Sequence, residues 1–497
     1  MNQSSLVSFR SALFRSIPLS ACLLAGLWGC AKAPHYPDAV PLPDAAADSP
    51  SDKAAPVADG PSDTAPVSGT VAVSAAPDQR TPRPTTGFGT SYWSWVPSWG
   101  NMVAGTEDQI LKLAPFVVRV GGTNNDENSP VTFDDTQMDL AVAYAQAIKA
   151  DLIVQVPVLA AHNASPDSGA ADGPATAAAM VSYANVTKNY GVKYFAIGNE
   201  PDLYPDTTGL AGINGFTAVD YCATATAYIA AMKTVDPTIK IVGPDLSWKY
   251  QTGSSDWLTP ILQTCGSLFD VVSIHRYPIN PAQTTIAAAA ADAPALRIVI
   301  AHVQSILQAT GNAGKPLAIT ECNVTWSGDP ANPVLPASPG TVPAGLWAAD
   351  MFGVGRETGL WATVFWSTRE GWTLGLFANQ AGTPKPQPAY WAFELYAEHF
   401  GLTLLSVSST PTGVHAYASR NQTDDGTQVI AVNWNNVPAI LTFSIDGLVT
   451  APTPPTFVLP ALALGAIEIP DTGTAAALIY GEAQHQADLP PQPLLPQ

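Results

Sequence analysis

The sequence predicts an α/β fold, a (β/α)8 TIM barrel with a C-terminal antiparallel β-sandwich domain, and three observations carry that prediction. Short apolar runs alternate with stretches of helical spacing from about Gly87 to Phe400. The runs are continuously apolar, as in strands buried on both faces of a parallel sheet covered by helices. From Leu402 the texture changes to short alternating strands separated by turn residues, the pattern of an antiparallel sheet.

The barrel is read over residues 86–400. Its first strand is Thr86–Trp93, with Trp93, Trp95 and Trp99 crowding the loop that follows. Pro115–Gly122 is the second strand and carries Arg119 among apolar residues; a buried arginine needs an anionic partner. Met138, Leu140, Ala141, Tyr144 and Ile148 give Asp134–Ala150 helical spacing, and Asp151–Pro157 is the third strand. A helix over Thr176–Tyr190 leads to the fourth, Tyr194–Ile197, which stops abruptly at Gly198-Asn199-Glu200-Pro201. Pro201 has no N–H to give a ladder, so Glu200 is held where the strand ends. The long Thr217–Val235 helix precedes the fifth strand, Lys240–Asp245, and Trp248 stands on its loop. Phe269–Pro278 is the sixth strand; His275 and Tyr277 share a face of it, because strand side chains alternate. After the Ala287–Gln308 helix the seventh strand, Pro316–Glu321, ends in a second glutamate. The Val342–Glu357 helix leads to the eighth, Trp361–Thr368, with Trp366 near its end, and Pro388–Phe400 is the last helix. The sandwich, residues 401–481, is read from Gly413–Tyr417, Gln428–Asn433, Ala439–Ser444 and Ala466–Ile469, with turns at Asp425-Gly426 and Asn435-Asn436.

The flanks read differently. Residues 1–29 carry Arg10, Arg15 and an apolar stretch from Ile17 to Trp28, the form of a signal peptide. Leu27-Trp28-Gly29-Cys30 resembles a bacterial lipobox, with Trp28 where a small residue is usual. That resemblance implies lipidation of Cys30 and an exported, cell-envelope lipoprotein; cleavage nearby with secretion is the alternative. Residues 30–85 are rich in Ala, Pro, Asp and Ser and read as an extended tether. Val67–Ala75 interrupts it with a β-like pattern. The tail, 482–497, is rich in Gln and Pro and is expected to be disordered. In an oxidising compartment Cys222 and Cys265, on neighbouring outer helices, are candidates for a disulfide, whereas Cys322 reads as packing.

Two glutamates ending strands far apart in sequence meet if those strands curl into one barrel, and paired carboxylates are the minimal apparatus for hydrolysing a glycoside. Here the chain begins to resemble a known group. Gly198-Asn199-Glu200-Pro201 and Thr320-Glu321 are similar to the ends of the fourth and seventh strands of the clan A retaining glycoside hydrolases. Ile197–Tyr204 together with Arg119-Val120-Gly121-Gly122 looks most like family 79, the β-glucuronidase and heparanase-like group. The resemblance implies Glu321 as nucleophile and Glu200 as acid/base. It implies Asn199 on the sugar 2-hydroxyl, Arg119 and Tyr277 beside the nucleophile, His275 in the mouth and Trp366 as an aromatic floor. Trp93 and Trp248 are candidate sugar-stacking walls, with core packing the alternative reading.

The expected activity is therefore a retaining hydrolysis of O-glycosidic bonds, on a β-glucuronide or on another glycoside or glycan of the same clan. A non-catalytic carbohydrate-binding surface lipoprotein is the competing class. The formal net charge of −19 argues against nucleic acid as a partner. No His/Cys/Asp grouping has metal-ligand spacing, and no cofactor motif is present. The partner expected is an oligosaccharide, polysaccharide or glycoside, with a membrane contacted only through the lipid.

Overall fold

The computed structural model describes residues 65–76, 81–82, 87–92, 103–128, 133–163, 173–206, 213–250, 256–328, 334–370, 373–378, 383–421, 423–446 and 455–496. Cys30 and Trp93, with Trp95 and Trp99, lie outside them.

All eight expected barrel strands form one closed parallel barrel. They are β1 (Gly87–Tyr92), β2 (Val117–Val120), β3 (Asp151–Val156), β4 (Tyr194–Ile197), β5 (Lys240–Leu246), β6 (Val271–Arg276), β7 (Leu317–Cys322) and β8 (Ala362–Phe365). Pairing of Ala362–Phe365 with Gly87–Thr90 closes the ring. Both faces are buried, which is why these strands read as unbroken apolar runs. Alternate residues fill the interior, where Val117, Ile153, Tyr194, Ala196, Val242, Val271, Ala318 and Val364 form one cluster. Their neighbours Val118, Val120, Leu152, Val154 and Val272 pack outwards in a second cluster shared with the helices.

The C-terminal strands form a ten-stranded sheet that the N-terminal segment enters. Its members include β9 (Thr403–Ser409), β10 (Val414–Arg420), β11 (Gly426–Asn433), β12 (Ala439–Asp446), β13 (Thr456–Leu459), β14 (Ala463–Pro470), β15 (Ala476–Tyr480) and β16 (Gln492–Leu494). On β11 every residue is buried. Val429 and Ala431 face the sandwich core with Val71, Leu441, Phe443 and Ile467, while Ile430 and Val432 face the barrel helices with Tyr396 and Phe393.

At the flanks, the β-like pattern at Val67–Ala75 is borne out and the expectation for the tail needs correction. Inside the stretch read as a tether, Val67–Ser74 is a strand, parallel to β12 and antiparallel to β9. Its period of two places Val71 and Val73 in the core, so a segment without a core of its own completes another's. The tail read as disordered also folds, as a helix Glu482–Gln486 and as β16 on the edge of β15. An edge strand tolerates Pro493 because only one side of it must pair.

A buried carboxylate joins the two domains. Asp350, on the helix Val342–Thr358, accepts from Nδ1 of His415 at 2.6 Å, the Tyr417 hydroxyl at 2.8 Å and the Trp434 indole N–H at 2.8 Å. Behind the barrel, Cys222 and Cys265 are joined as a disulfide, with Cα atoms 5.6 Å apart. Cys322 is buried and unbridged.

Candidate active site

The site is built where regular strand geometry fails. After β4, Gly198 and Glu200 take φ of 69° and 48°, turning the chain out of the sheet into the short 3-10 helix Pro201–Asp206. A left-handed glutamate is uncommon and survives where its surroundings over-determine it. Here the Glu200 N–H donates to the Asp245 carbonyl at 3.1 Å, and the Leu203 N–H to the Glu200 carbonyl at 2.8 Å. On β7 the register against β6 shifts, so that Thr320 has no opposite residue. Such a bulge re-aims side chains, and Thr320 and Glu321 both turn inward. On β5 the same happens at Asp245, which sits between the paired Pro244 and Leu246 with φ of 55°.

Arg119, fully buried at the end of β2, ties these groups together. Its guanidinium donates to Glu321 Oε2 at 2.9 Å, to Asn199 Oδ1 at 2.9 Å and to Asp245 Oδ2 at 3.0 Å. The Tyr277 hydroxyl donates to Glu321 Oε1 at 2.6 Å. His275 Nδ1 lies 3.0 Å from Glu200 Oε1. The structure thus brings together six residues singled out from the sequence: Arg119, Asn199, Glu200, His275, Tyr277 and Glu321. One oxygen of Glu200, one of Glu321 and a His275 ring nitrogen lie within 4.8 Å of one another.

The electrostatics are divided. Burial pushes the Glu321 carboxyl up, His275 and Arg119 pull it down, and the net direction is upward. Arg119 and the Tyr277 hydroxyl favour its anion, but desolvation outweighs them. Burial, helped by Arg119, lowers His275, so its imidazole is neutral near neutrality. Asp245 resists burial because Arg119 and His275 draw its carboxyl below the usual range.

Trp366 is buried at the end of β8 and packs with Leu374 and Tyr277. Its ring lies so close to Gly122 that a Cβ there would stand 2.6 Å from it, and Gly122 itself has φ of 105°. Only glycine fits on both counts. Trp248 is half-buried on the loop after β5, its backbone N–H held by Asp202 at 3.1 Å, apart from the Arg119 cluster's hydrogen bonds.

Several supporting residues escaped the sequence reading. Asp126 accepts from the Val158, Leu159 and Asn199 N–H groups and from the Tyr204 hydroxyl, and so fixes the Asn199–Glu200 turn. Asp202 accepts from the Ser247 N–H and hydroxyl and from the Trp248 and Lys249 N–H groups. Asp245 also receives the Ser273 and Thr320 hydroxyls. Glu370 accepts from the Leu374 N–H at 3.1 Å. Asp245 carried a visible signal, a third carboxylate at a strand end; Asp126 and Asp202 sit on short helices after strand ends, Glu370 sits in a loop, and none of the three had one.

No family model matches the chain, and no curated protein matches it in sequence. Solved structures do match. The chain is similar to the family 51 α-L-arabinofuranosidase AbfB from Bifidobacterium longum, with TM-score 0.60 and 15% identity over 82% of this chain and 100% of that one. It is similar to a family 44 xyloglucanase from Paenibacillus polymyxa, solved with xyloglucan, with TM-score 0.61 and 14% identity over 82% and 100%. A bifunctional glucanase-xylanase from a metagenome library gives TM-score 0.60 and 16% identity over 82% and 99%. The barrel with its β-rich C-terminal domain is thus an architecture found among glycoside hydrolases. At these identities the likeness is one of fold.

Proposed function

We propose that this protein is a retaining glycoside hydrolase with Glu321 as nucleophile and Glu200 as acid/base. The observation that carries the reading is the approach of the two carboxylates to within 4.8 Å at the C-terminal mouth of the barrel. Retaining enzymes hold their carboxyl groups about 5–5.5 Å apart, and inverting ones hold them farther apart to admit a water. A Glu321 oxygen attacks the anomeric carbon as the glycosidic bond breaks, its electrons going to the leaving oxygen, which takes the proton of Glu200. In the second half Glu200 removes a proton from water, the water oxygen attacks the anomeric carbon, and the Glu321 carboxylate leaves. A neutral His275 beside Glu200 is able to accept from the acid and donate to the base by changing tautomer. Asn199, held on Arg119, stands next to both carboxylates, where a sugar 2-hydroxyl is bound in this mechanism.

The motif resemblance to family 79 supplies a β-glucuronide as one glycone; a neutral glycoside or glycan is the other. The test is nitrophenol release from a panel of 4-nitrophenyl glycosides by protein that retains Val67–Ser74. A 2-deoxy-2-fluoro glycoside should add one glycosyl mass to a peptide containing Glu321. Glu321→Gln should abolish release, and azide should restore turnover to Glu200→Ala as a glycosyl azide of retained configuration. Inverted product, or unchanged activity in Glu321→Gln, overturns the assignment. Export with Cys30 as the lipid site is part of the proposal, supported by the Arg10/Arg15 leader and the lipobox-like Leu27–Cys30. Metabolic labelling with a fatty-acid probe, lost in Cys30→Ala, tests it.

A further inference from the structure

The charge of the loops around the mouth says what kind of sugar enters it. The loops after β1, β2, β3, β4, β6 and β7 hold no lysine or arginine at all. The loop after β5 supplies Lys249, and the loop after β8 supplies Arg369 and Lys385. None of the three is free. Lys249 donates to the Asp202 carbonyl at 2.8 Å and lies over the Trp248 and Trp257 rings. Lys385 pairs with Asp488 at 3.0 Å, and Arg369 has interactions of its own. At the strand ends Arg119 is shared among Glu321, Asn199 and Asp245, and Arg276 is paired with Asp292. Against these stand Asp126, Glu127, Glu200, Asp202, Asp245, Glu321 and Glu370.

Glu370 is the informative member. It is 3% exposed, accepts from the Leu374 N–H at 3.1 Å, and is hydrogen-bonded by the Trp366 side chain. It is also close enough to Glu321 for the two to repel. Two donors among the described residues leave part of a carboxylate's acceptor capacity for a ligand, beside the indole that lies against Gly122. Gln155 takes the Gly122 N–H on its oxygen at 2.6 Å, while its buried amide nitrogen has no partner among the described residues. Spare acceptor capacity beside an indole face suits hydroxyl groups. A carboxylate brought there would meet Glu370 and Glu321, while the lysines and arginines of the strand ends and of the loops named above are already engaged, and like charges at short range disfavour one another strongly.

We infer that the site takes an uncharged glycone, and that Glu370 beside the Trp366 indole is the specificity-determining residue that reads its hydroxyls and excludes a uronate. This rests on the hydrolase reading for the site's location, and it narrows the glycone choice left open there. Burial raises the Glu370 carboxyl to about 7, so exclusion of a uronate by charge is fullest above neutrality, where Glu370 is ionised.

The test pairs ligands that differ only in charge: uncharged glyconolactams of gluco, xylo and arabino configuration, and the 6-carboxylate of the gluco compound. Their binding to the full chain and to Glu370→Gln is measured by calorimetry, which needs no turnover. At least one neutral compound should bind the unaltered protein a hundredfold or more tighter than the carboxylate. Glu370→Gln should weaken the neutral compound about tenfold and narrow that ratio at least tenfold, with circular dichroism unchanged. Equal or tighter binding of the carboxylate, binding of none of the compounds, or a ratio untouched by Glu370→Gln each overturns the inference. Loss of Glu321-dependent turnover, by contrast, bears on the hydrolase reading alone.

Discussion

Two buried carboxylate clusters in this molecule look alike in a list of hydrogen bonds and differ in kind. Asp350, between the domains, sits on a regular helix and receives three donors, all from side chains of the sandwich. The cluster at the mouth stands on two register shifts and two left-handed acidic residues, Glu200 and Asp245. Buried atoms there, the Arg119 Nε and His275 Nε2 among them, have no hydrogen-bond partner among the described residues. Satisfied donors on unstrained backbone belong to a joint. Strain with spare hydrogen-bonding capacity belongs to a place that waits for a ligand.

The largest test of that contrast is to neutralise one member of each cluster. Glu321→Gln should lower kcat by about 10^4-fold or more, roughly 5.5 kcal/mol in the barrier, while Tm holds or rises, because a buried charge is removed. Asp350→Asn should do the reverse, leaving kcat within about twofold and costing about 2–4 kcal/mol in denaturant unfolding. A large activity loss in Asp350→Asn would erase the distinction. The disulfide lies outside both clusters: Cys222→Ala with Cys265→Ala should cost up to about 4 kcal/mol, the loop entropy of its 43-residue separation, without moving the pH profile.

Smaller effects sharpen the electrostatics. Arg119→Gln removes a cation that opposes the upward push of burial on Glu321. The acid limb of kcat/KM should therefore move to higher pH, by about one to three units. The smallest effect is on stability. Burial raises Asp126 from 3.8 to about 6 and Glu370 from 4.5 to about 7. Each then favours the fold fully below its ordinary value, and that contribution is lost as pH rises through about 6 to 7. Tm should fall between pH 5 and pH 8, and Glu370→Gln should flatten the slope.

The barrel was legible because burial on both faces leaves a sequence signature: eight apolar runs, each found as a strand. The strand-end glutamates, Arg119 and Tyr277 were legible because a polar residue closing an apolar run is anomalous. Asp126 and Asp202 were not. They bind backbone N–H groups across loops, and no local pattern encodes which loop folds over which. The bulge at Thr320 was equally hidden, since a one-residue register shift alters no composition. The strand Val67–Ser74 was half visible: its alternation could be read, but the partners that make it a strand lie more than three hundred residues away in the sequence. The tail misled because its Pro and Gln content is read as disorder unless an edge is known to be waiting for it.

That early strand governs the order in which the molecule can be completed. It lies between β9 and β12, so the slot it fills does not exist until Ala439–Asp446 has been synthesised. The barrel closes on contacts made within its own span, whereas the sandwich depends on a loop closure that encloses the entire barrel, a high-contact-order step. Assembly of the sandwich is therefore the late event, and a chain shortened to begin at the barrel would carry a sheet with an internal strand missing.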